Sequence, residues 1–126
     1  MNRRSGFTLV EMLLSIVILA IILGSVARYT GQYLHTVSTS TTRTAAAEVA
    51  RERIGLVDMD PSYATLPATW AGTQIGFPGY PDMTRVTSVS RITGAVPQRD
   101  YTIVTVRVTE PTMGAPIDVT TVVASP

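Results

Sequence analysis

The sequence contains no cysteine and no lysine, and each absence excludes a class of sites. Without cysteine, the chain can form neither a disulfide framework nor a thiolate metal site. All ten basic residues are arginine, so no lysine nucleophile is present. These ten positive charges nearly balance nine acidic residues, and this balance gives no indication of a nucleic-acid partner.

Proline is also absent before Pro61, whereas proline and glycine are frequent from 61 to 81. This shift predicts a long helical N-terminal part followed by a β-rich C-terminal part. The 126 residues suffice for one domain with an appendage.

The longest apolar run, Phe7 to Ala27, has 21 residues and a single charge, Glu11. A helix of about 20 apolar residues crosses the ~30 Å hydrocarbon core of a bilayer. Arg3 and Arg4 precede the run. Because positively charged flanks favour the cytoplasmic side, we expect the N-terminus in the cytoplasm and the part of the chain after the run on the opposite side of the membrane.

Glu11 is the residue that any interpretation of this run has to explain, and two simple interpretations do not explain it. A plain membrane anchor is one, and an ordinary secretory signal peptide with a small-residue site at 25–27 is another. Both leave Glu11 unexplained, because a carboxylate at the centre of a spanning helix costs roughly 2.5–3.5 kcal/mol. An ionisable residue in a membrane segment usually has a function and a partner.

The hexapeptide GFTLVE, residues 6–11, follows a short arginine-containing leader and opens the apolar run. This arrangement resembles the class III signal of type IV pilins and pseudopilins. The resemblance implies that prepilin peptidase cuts between Gly6 and Phe7 and then methylates the amine of Phe7. A lone carboxylate among the apolar helices of a filament is costly unless it is paired, so our hypothesis is that Glu11 pairs with the Phe7 amine of a neighbouring subunit during assembly.

The fold expected from the resemblance is α+β, a pilin-like lollipop whose long N-terminal helix, transmembrane in its first half, packs on a small antiparallel sheet. We expect a cleaved leader over 1–6, a transmembrane helix over 7–27, a continuation of the helix over 28–58 and a β-rich head over 59–126. The Thr/Ser run 36–44 favours helix poorly and is where the helix is expected to be weakest. The sequence 58–61, DMDP, predicts the end of the helix.

Helical spacing from 45 to 57 indicates a stripe facing the head, made by Ala46, Val49, Arg53, Ile54 and Val57. Residues 61–83 carry repeated turn signals and are expected to form an irregular connection with one short strand at 73–77. In it, three aromatic residues are expected to cover the helix or the sheet edge, namely Trp70, Phe77 and Tyr80.

Three strands are predicted after the connection, over 85–92, 101–109 and 117–124, with short loops that favour an antiparallel meander. In the first, Val86 and Ile92 offer a partial apolar face. In the second, alternation places three valines on one face: Val104, Val106 and Val108.

Candidate catalytic groups are scarce. The single histidine, His35, is expected to be solvated near the outer membrane face, and no serine has a plausible histidine partner. Asp58 and Asp60 lack the further oxygen ligands of a calcium loop. We therefore expect no enzyme activity, no metal and no cofactor.

The resemblance names further partners: prepilin peptidase, other pilins or pseudopilins, and the assembly platform of the inner membrane. Many major pilins have a proline where this chain has Arg28, and many have a C-terminal cysteine pair; this chain has neither. The β-rich ending resembles minor pilins and the I-type minor pseudopilins of type II secretion. A minor subunit is therefore favoured over a major pilin, and a secreted β domain with an ordinary signal peptide is the third alternative.

Overall fold

The computed structural model describes residues 8–95 and 98–126. A 50-residue helix, α1, runs from Leu9 to Asp58. A 3-10 turn at Tyr63–Thr65 and a short helix α2 at Leu66–Trp70 follow it. Four strands complete the chain: β1 (Gly72–Phe77), β2 (Tyr80–Ala95), β3 (Gln98–Thr109) and β4 (Ile117–Ala124).

The strands form one antiparallel sheet in the order β1-β2-β3-β4, so each strand pairs with its neighbour in sequence. The α+β prediction and the meander are thereby confirmed. The chain divides into two compact units, one ending at Ser38 and the other running from Thr39 to Pro126.

In the first unit, every described side chain from Thr8 to Ser38 is exposed. Here α1 is long and apolar enough to cross a membrane, and no residue of the most apolar stretch is buried. The apolar side chains between Leu9 and Val26 have exposed fractions of 50 to 78%. Such a surface is stable only against lipid or other apolar helices.

The Thr/Ser run 36–44 is helical throughout, and the boundary between the two units lies within it, after Ser38. The Thr36 hydroxyl donates to the carbonyl oxygen of Gln32, and the Thr44 hydroxyl donates to that of Ser40, both at 3.0 Å. These bonds satisfy the hydroxyls within the helix, although such bonds to the carbonyl four residues earlier do not themselves stabilise it.

The helix packs on the sheet through residues spaced four or seven apart, and those that are buried are Thr42, Ala46, Ala50 and Val57. Ala46 and Ala50 belong to one core cluster with Met83 of β2 and with Val106 and Val108 of β3. The predicted stripe is confirmed: Ala46 and Val57 are buried, Val49 and Ile54 pack against the core, and Arg53 is half-buried, but the prediction missed Ala50.

On β3, the predicted alternation is confirmed, because Val104, Val106 and Val108 are all 0% exposed. The predicted face of β2 is wrong. Val86 is half-buried and Ile92 is exposed, whereas Met83, Arg85 and Thr87 are buried. Arg85 and Thr87 lie opposite Val108 and Val106 in the ladder, so the register with β3 decides which face of β2 meets the helix.

The connection after α1 is more regular than expected. It contains the 3-10 turn, α2, all of β1 and the start of β2. Leu66 is fully buried in it, and Trp70, Phe77 and Tyr80 pack against the core as predicted. The loop predicted between strands 85–92 and 101–109 was expected to contain Thr93, Gly94 and Pro97. Thr93 and Gly94 lie instead in β2, and Pro97 lies outside the described residues.

Candidate functional site

The predicted processing residues Gly6 and Phe7 lie outside the described residues, which begin at Thr8. Helix α1 starts immediately afterwards, at Leu9. The part of the predicted site that can be described is therefore the first turn of α1, with Glu11 in it.

Thr8 and Glu11 form a reciprocal capping interaction at this turn. The backbone N–H of Glu11 donates to the Thr8 hydroxyl at 3.3 Å, and the backbone N–H of Thr8 donates to the Glu11 carboxylate at 3.4 Å. A helix leaves its first N–H groups without helical partners, and this arrangement satisfies two such donors. Sequence analysis missed it, although the spacing T-x-x-E at 8–11 is the signal for a capping box.

The cap uses only part of the hydrogen-bonding capacity of Glu11. Among the described residues, the ion pairs are Arg91–Asp100 and Arg107–Asp118, so no described cation pairs with Glu11. The side chain is exposed on a helix surrounded by exposed apolar residues. A carboxylate in that position can accept a cation from another chain at little steric cost.

A second polar cluster ties the 3-10 turn and the C-terminus to the sheet. Asp100 accepts both arms of the Arg91 guanidinium, at 2.9 and 2.7 Å, and the hydroxyl of Tyr63 at 2.8 Å. The backbone N–H of Ser125 donates to the Asp100 carbonyl oxygen at 3.1 Å. The bonds from Arg91, and then that from Tyr63, lower the pKa of Asp100 from 3.8 to about 2.

This shift predicts an acid-dependent loss of stability. A carboxyl whose pKa is lowered on folding stabilises the fold above pH 3.8, and that stabilisation is lost as the pH falls through about 2. We expect Asp100→Asn to lower the thermal unfolding midpoint at pH 7, with the difference from wild type narrowing between pH 4 and pH 2. The measurement is thermal unfolding of the detergent-solubilised chain across that range.

Asp118→Asn is the matched control, because Asp118 also accepts a two-armed pair, from Arg107, at 2.7 Å. That pair spans β3 and β4 without a third partner and is more exposed than the Asp100 pair. We expect a smaller loss of stability. Equal losses for the two variants at pH 7 would contradict the role assigned to the Asp100 cluster.

Within residues 8–95 and 98–126, no group of three or more potential metal-ligating side chains converges. Asp60 accepts the backbone N–H of Ser62 at 2.8 Å and the indole N–H of Trp70 at 2.6 Å, so it shapes the turn after α1. Asp58 accepts the Thr121 hydroxyl at 3.4 Å. Both aspartates thus have structural contacts where the sequence had suggested a weak calcium candidate.

A family model for the prokaryotic N-terminal methylation motif matches residues 1–27. Comparison with curated proteins gave no match, and comparison with solved structures gave none either. The matched segment covers the leader, the hexapeptide and the apolar start of α1, and the rest of the chain adds a continuous helix and an antiparallel sheet. The chain thus begins with a prokaryotic N-terminal methylation motif, which is similar to the class III signal of type IV pilins and pseudopilins, and a long apolar helix and an antiparallel sheet follow it.

Proposed function

We propose that the chain is a minor pilin or minor pseudopilin, a structural subunit of a type IV pilus or a type II secretion pseudopilus. The observation that carries the proposal is the methylation motif at the head of an exposed apolar helix. Such a helix needs lipid before assembly and the helices of other subunits afterwards. The role is structural, and the chain is the substrate of an enzyme and not an enzyme itself.

Before assembly, the proposed location of the subunit is the inner membrane. Residues 1–6 are the leader, 7–27 span the bilayer, 28–58 continue the helix, and 59–126 form the head on the outer side. Arg3 and Arg4 favour retention of the N-terminus in the cytoplasm. Prepilin peptidase then cuts between Gly6 and Phe7 and methylates Phe7, and the assembly platform inserts the subunit into the filament.

In the filament, the Glu11 carboxylate pairs with the methylated Phe7 amine of a neighbouring subunit. A methylated amine stays basic, so the partner is a cation. Because the two residues are four positions apart, pairing both charges sets an axial offset of about 6 Å between adjacent helices. This resembles the way a buried polar residue sets register in a coiled coil.

The minor role is supported by what distinguishes this chain from many major pilins. It has Arg28 in place of a proline, and it has no cysteine pair to close a C-terminal loop. A continuous α1 through residue 28 is compatible with the missing proline. Counting subunits of this chain per filament tests the assignment: a few copies support the minor role, and a majority would establish a major pilin.

Purification of the chain from membranes and analysis of its intact mass test the processing step. We expect a chain that starts at Phe7, with the mass increment of one methylation. A chain that starts at Arg28 would instead establish a cleaved secretory signal peptide and overturn the proposal. A chain that still starts at Met1 in cells with active prepilin peptidase would contradict processing.

A further inference from the structure

Two arginines from different elements line one pocket in the unit from Thr39 to Pro126. Arg53 belongs to α1 and Arg85 to β2, and both border a cavity of about 320 Å³. Thr87 and Gln74 complete its polar wall, together with the chain at 71–73 that leads into β1. None of these residues takes part in the processing or assembly described above.

Arg85 is buried, with 6% of its surface exposed. One terminal nitrogen, Nη1, donates to the carbonyl oxygen of Val49 at 3.0 Å, and Nη2 donates to the side-chain oxygen of Gln74. The guanidinium carbon lies 5.1 Å from the centre of the Phe77 ring. The guanidinium is therefore fixed in position, but both of its acceptors are neutral.

Arg53 has contacts of the same kind. Its Nη2 donates to the carbonyl oxygen of Trp70 at 3.1 Å, and its Nε donates to the Thr87 hydroxyl at 3.4 Å. The guanidinium carbon lies 4.7 Å from the centre of the Trp70 ring. This cation too is held by neutral groups and an aromatic face.

The pocket thus concentrates two positive charges without a carboxylate. Among the described residues, carboxylates lie within ion-pair distance of guanidinium groups only at Arg91 and Arg107. Burial, and then the charge of Arg53, lower the pKa of Arg85, while the charge of Glu52 acts on this pKa in the opposite direction. Removing a charge from water without a counter-charge is costly, so an anion in this pocket would be stabilising.

The N–H donors that the two arginines do not use within the protein also favour an anionic ligand. Arg53 Nη1 and Arg85 Nε have no acceptor among the described residues. A guanidinium presents its N–H donors in a planar fork that matches the two oxygens of a carboxylate. The cavity volume lies near the lower end of the range of small-molecule sites, so a small carboxylate fits within it.

We propose that the pocket between Arg53 and Arg85 binds a carboxylate group. The group can come from a small free carboxylate or from an acidic side chain of another protein chain, and the chemistry of recognition is the same. Arg53 supplies the more accessible fork, and Arg85 supplies a fixed charge behind it.

Acetate is the probe for the first arm of the test, with the full-length chain in detergent and chloride at matched ionic strength as the reference. A bound ligand raises the unfolding midpoint in a saturable way. We expect acetate to do so for the wild-type chain, and Arg53→Gln to weaken apparent acetate affinity at least about ten-fold. Each variant is compared with its own midpoint in chloride, so a loss of basal stability does not affect the result.

Arg51→Gln is the matched control, since Arg51 lies two residues earlier on α1 and is exposed. It removes the same charge and should keep the acetate effect. Arg53→Lys keeps the charge but loses the fork, and we expect intermediate affinity. No acetate effect beyond that of chloride, or equal losses in Arg53→Gln and Arg51→Gln, would overturn the proposal.

The second arm separates the two sources of the carboxylate. Phenylglyoxal modifies accessible arginines, and mass spectrometry reports modification of Arg53 in free subunits, in subunits with acetate, and in purified filaments. Protection by acetate alone indicates a free carboxylate as the ligand. Additional protection in filaments, absent for Arg51, indicates an acidic side chain of a neighbouring chain. Filament protection rests on the proposed function, whereas the acetate arm does not depend on assembly, so the two can fail separately.

Discussion

Glu11→Leu is expected to abolish recovery of the chain in filaments while leaving membrane insertion intact or improved. Leucine removes an unfavourable charge from the lipid, so insertion loses nothing. Cleavage should continue, because the cut lies before Phe7, and Glu11 lies four residues after it. In the filament, however, a neighbouring Phe7 amine would be buried without a counter-charge, which costs about 3–5 kcal/mol.

The capping box between Thr8 and Glu11 makes it possible to separate two roles of Glu11, its charge and its hydrogen bond to the helix N-terminus. Glu11→Gln keeps a side-chain acceptor for the Thr8 N–H and removes the charge, whereas Thr8→Ala removes the hydroxyl and keeps the charge. If charge pairing drives assembly, Glu11→Gln fails like Glu11→Leu, and Thr8→Ala loses only the roughly 0.5–2 kcal/mol of a helix cap. If capping alone matters, Glu11→Gln assembles normally.

The measurement is co-purification with filaments, with all variants expressed at equal level and total filament yield recorded. Glu48→Gln, an exposed acidic position further along α1, serves as the matched control and should assemble like wild type. A subunit at the filament tip has no neighbour on one side, so loss of total yield counts as failure even when the subunit itself is retained. Wild-type recovery and yield for Glu11→Leu would contradict the pairing mechanism.

The second large effect is expected at the processing site. Gly6→Val places a branched side chain next to the scissile bond, where glycine lets the backbone extend into a narrow peptidase site. Overpacking of about 1–3 kcal/mol in the transition state slows cleavage by roughly 5- to 160-fold. We expect the unprocessed precursor to accumulate, and Gly6→Ala to show a smaller defect.

Gly24→Val is the control for the glycine substitution. Gly24 lies in the apolar part of α1, and nothing lies within 4 Å of a Cβ added there. The same change in side chain should therefore leave processing unaffected. Intact mass and N-terminal sequence report cleavage and methylation together, and normal trimming of Gly6→Val would show that the cleavage site has been assigned wrongly.

Much of the fold could be predicted from local patterns. Residues 7–27 form an uninterrupted apolar run, no proline breaks the helix before Pro61, and strict alternation marks the buried valines of β3. Each of these signals depends on one segment at a time, through helical or strand periodicity. The methylation motif is equally local, since the proposed leader, the proposed cleavage site and Glu11 lie within eleven residues.

Other features depended on contacts between segments. The buried face of β2 carries Arg85 and Thr87, which no hydrophobicity pattern assigns to a core. They are buried because the register with β3 places them on that side, and because Val49, Gln74 and Arg53 provide their hydrogen-bond partners. A one-residue change of register would have exposed both.

The sequence by itself thus determined the membrane helix, its stop and the processing motif, because each follows from the order of neighbouring residues. Tertiary structure decided which polar side chains became buried and where two positive charges lie together without a carboxylate at ion-pair distance. Arg53 and Arg85 are 32 positions apart and share a pocket only because α1 packs on the sheet beside β2. The spacing of these residues along the chain does not indicate that they are close, because their proximity arises from the register of the strands and the packing of the helix.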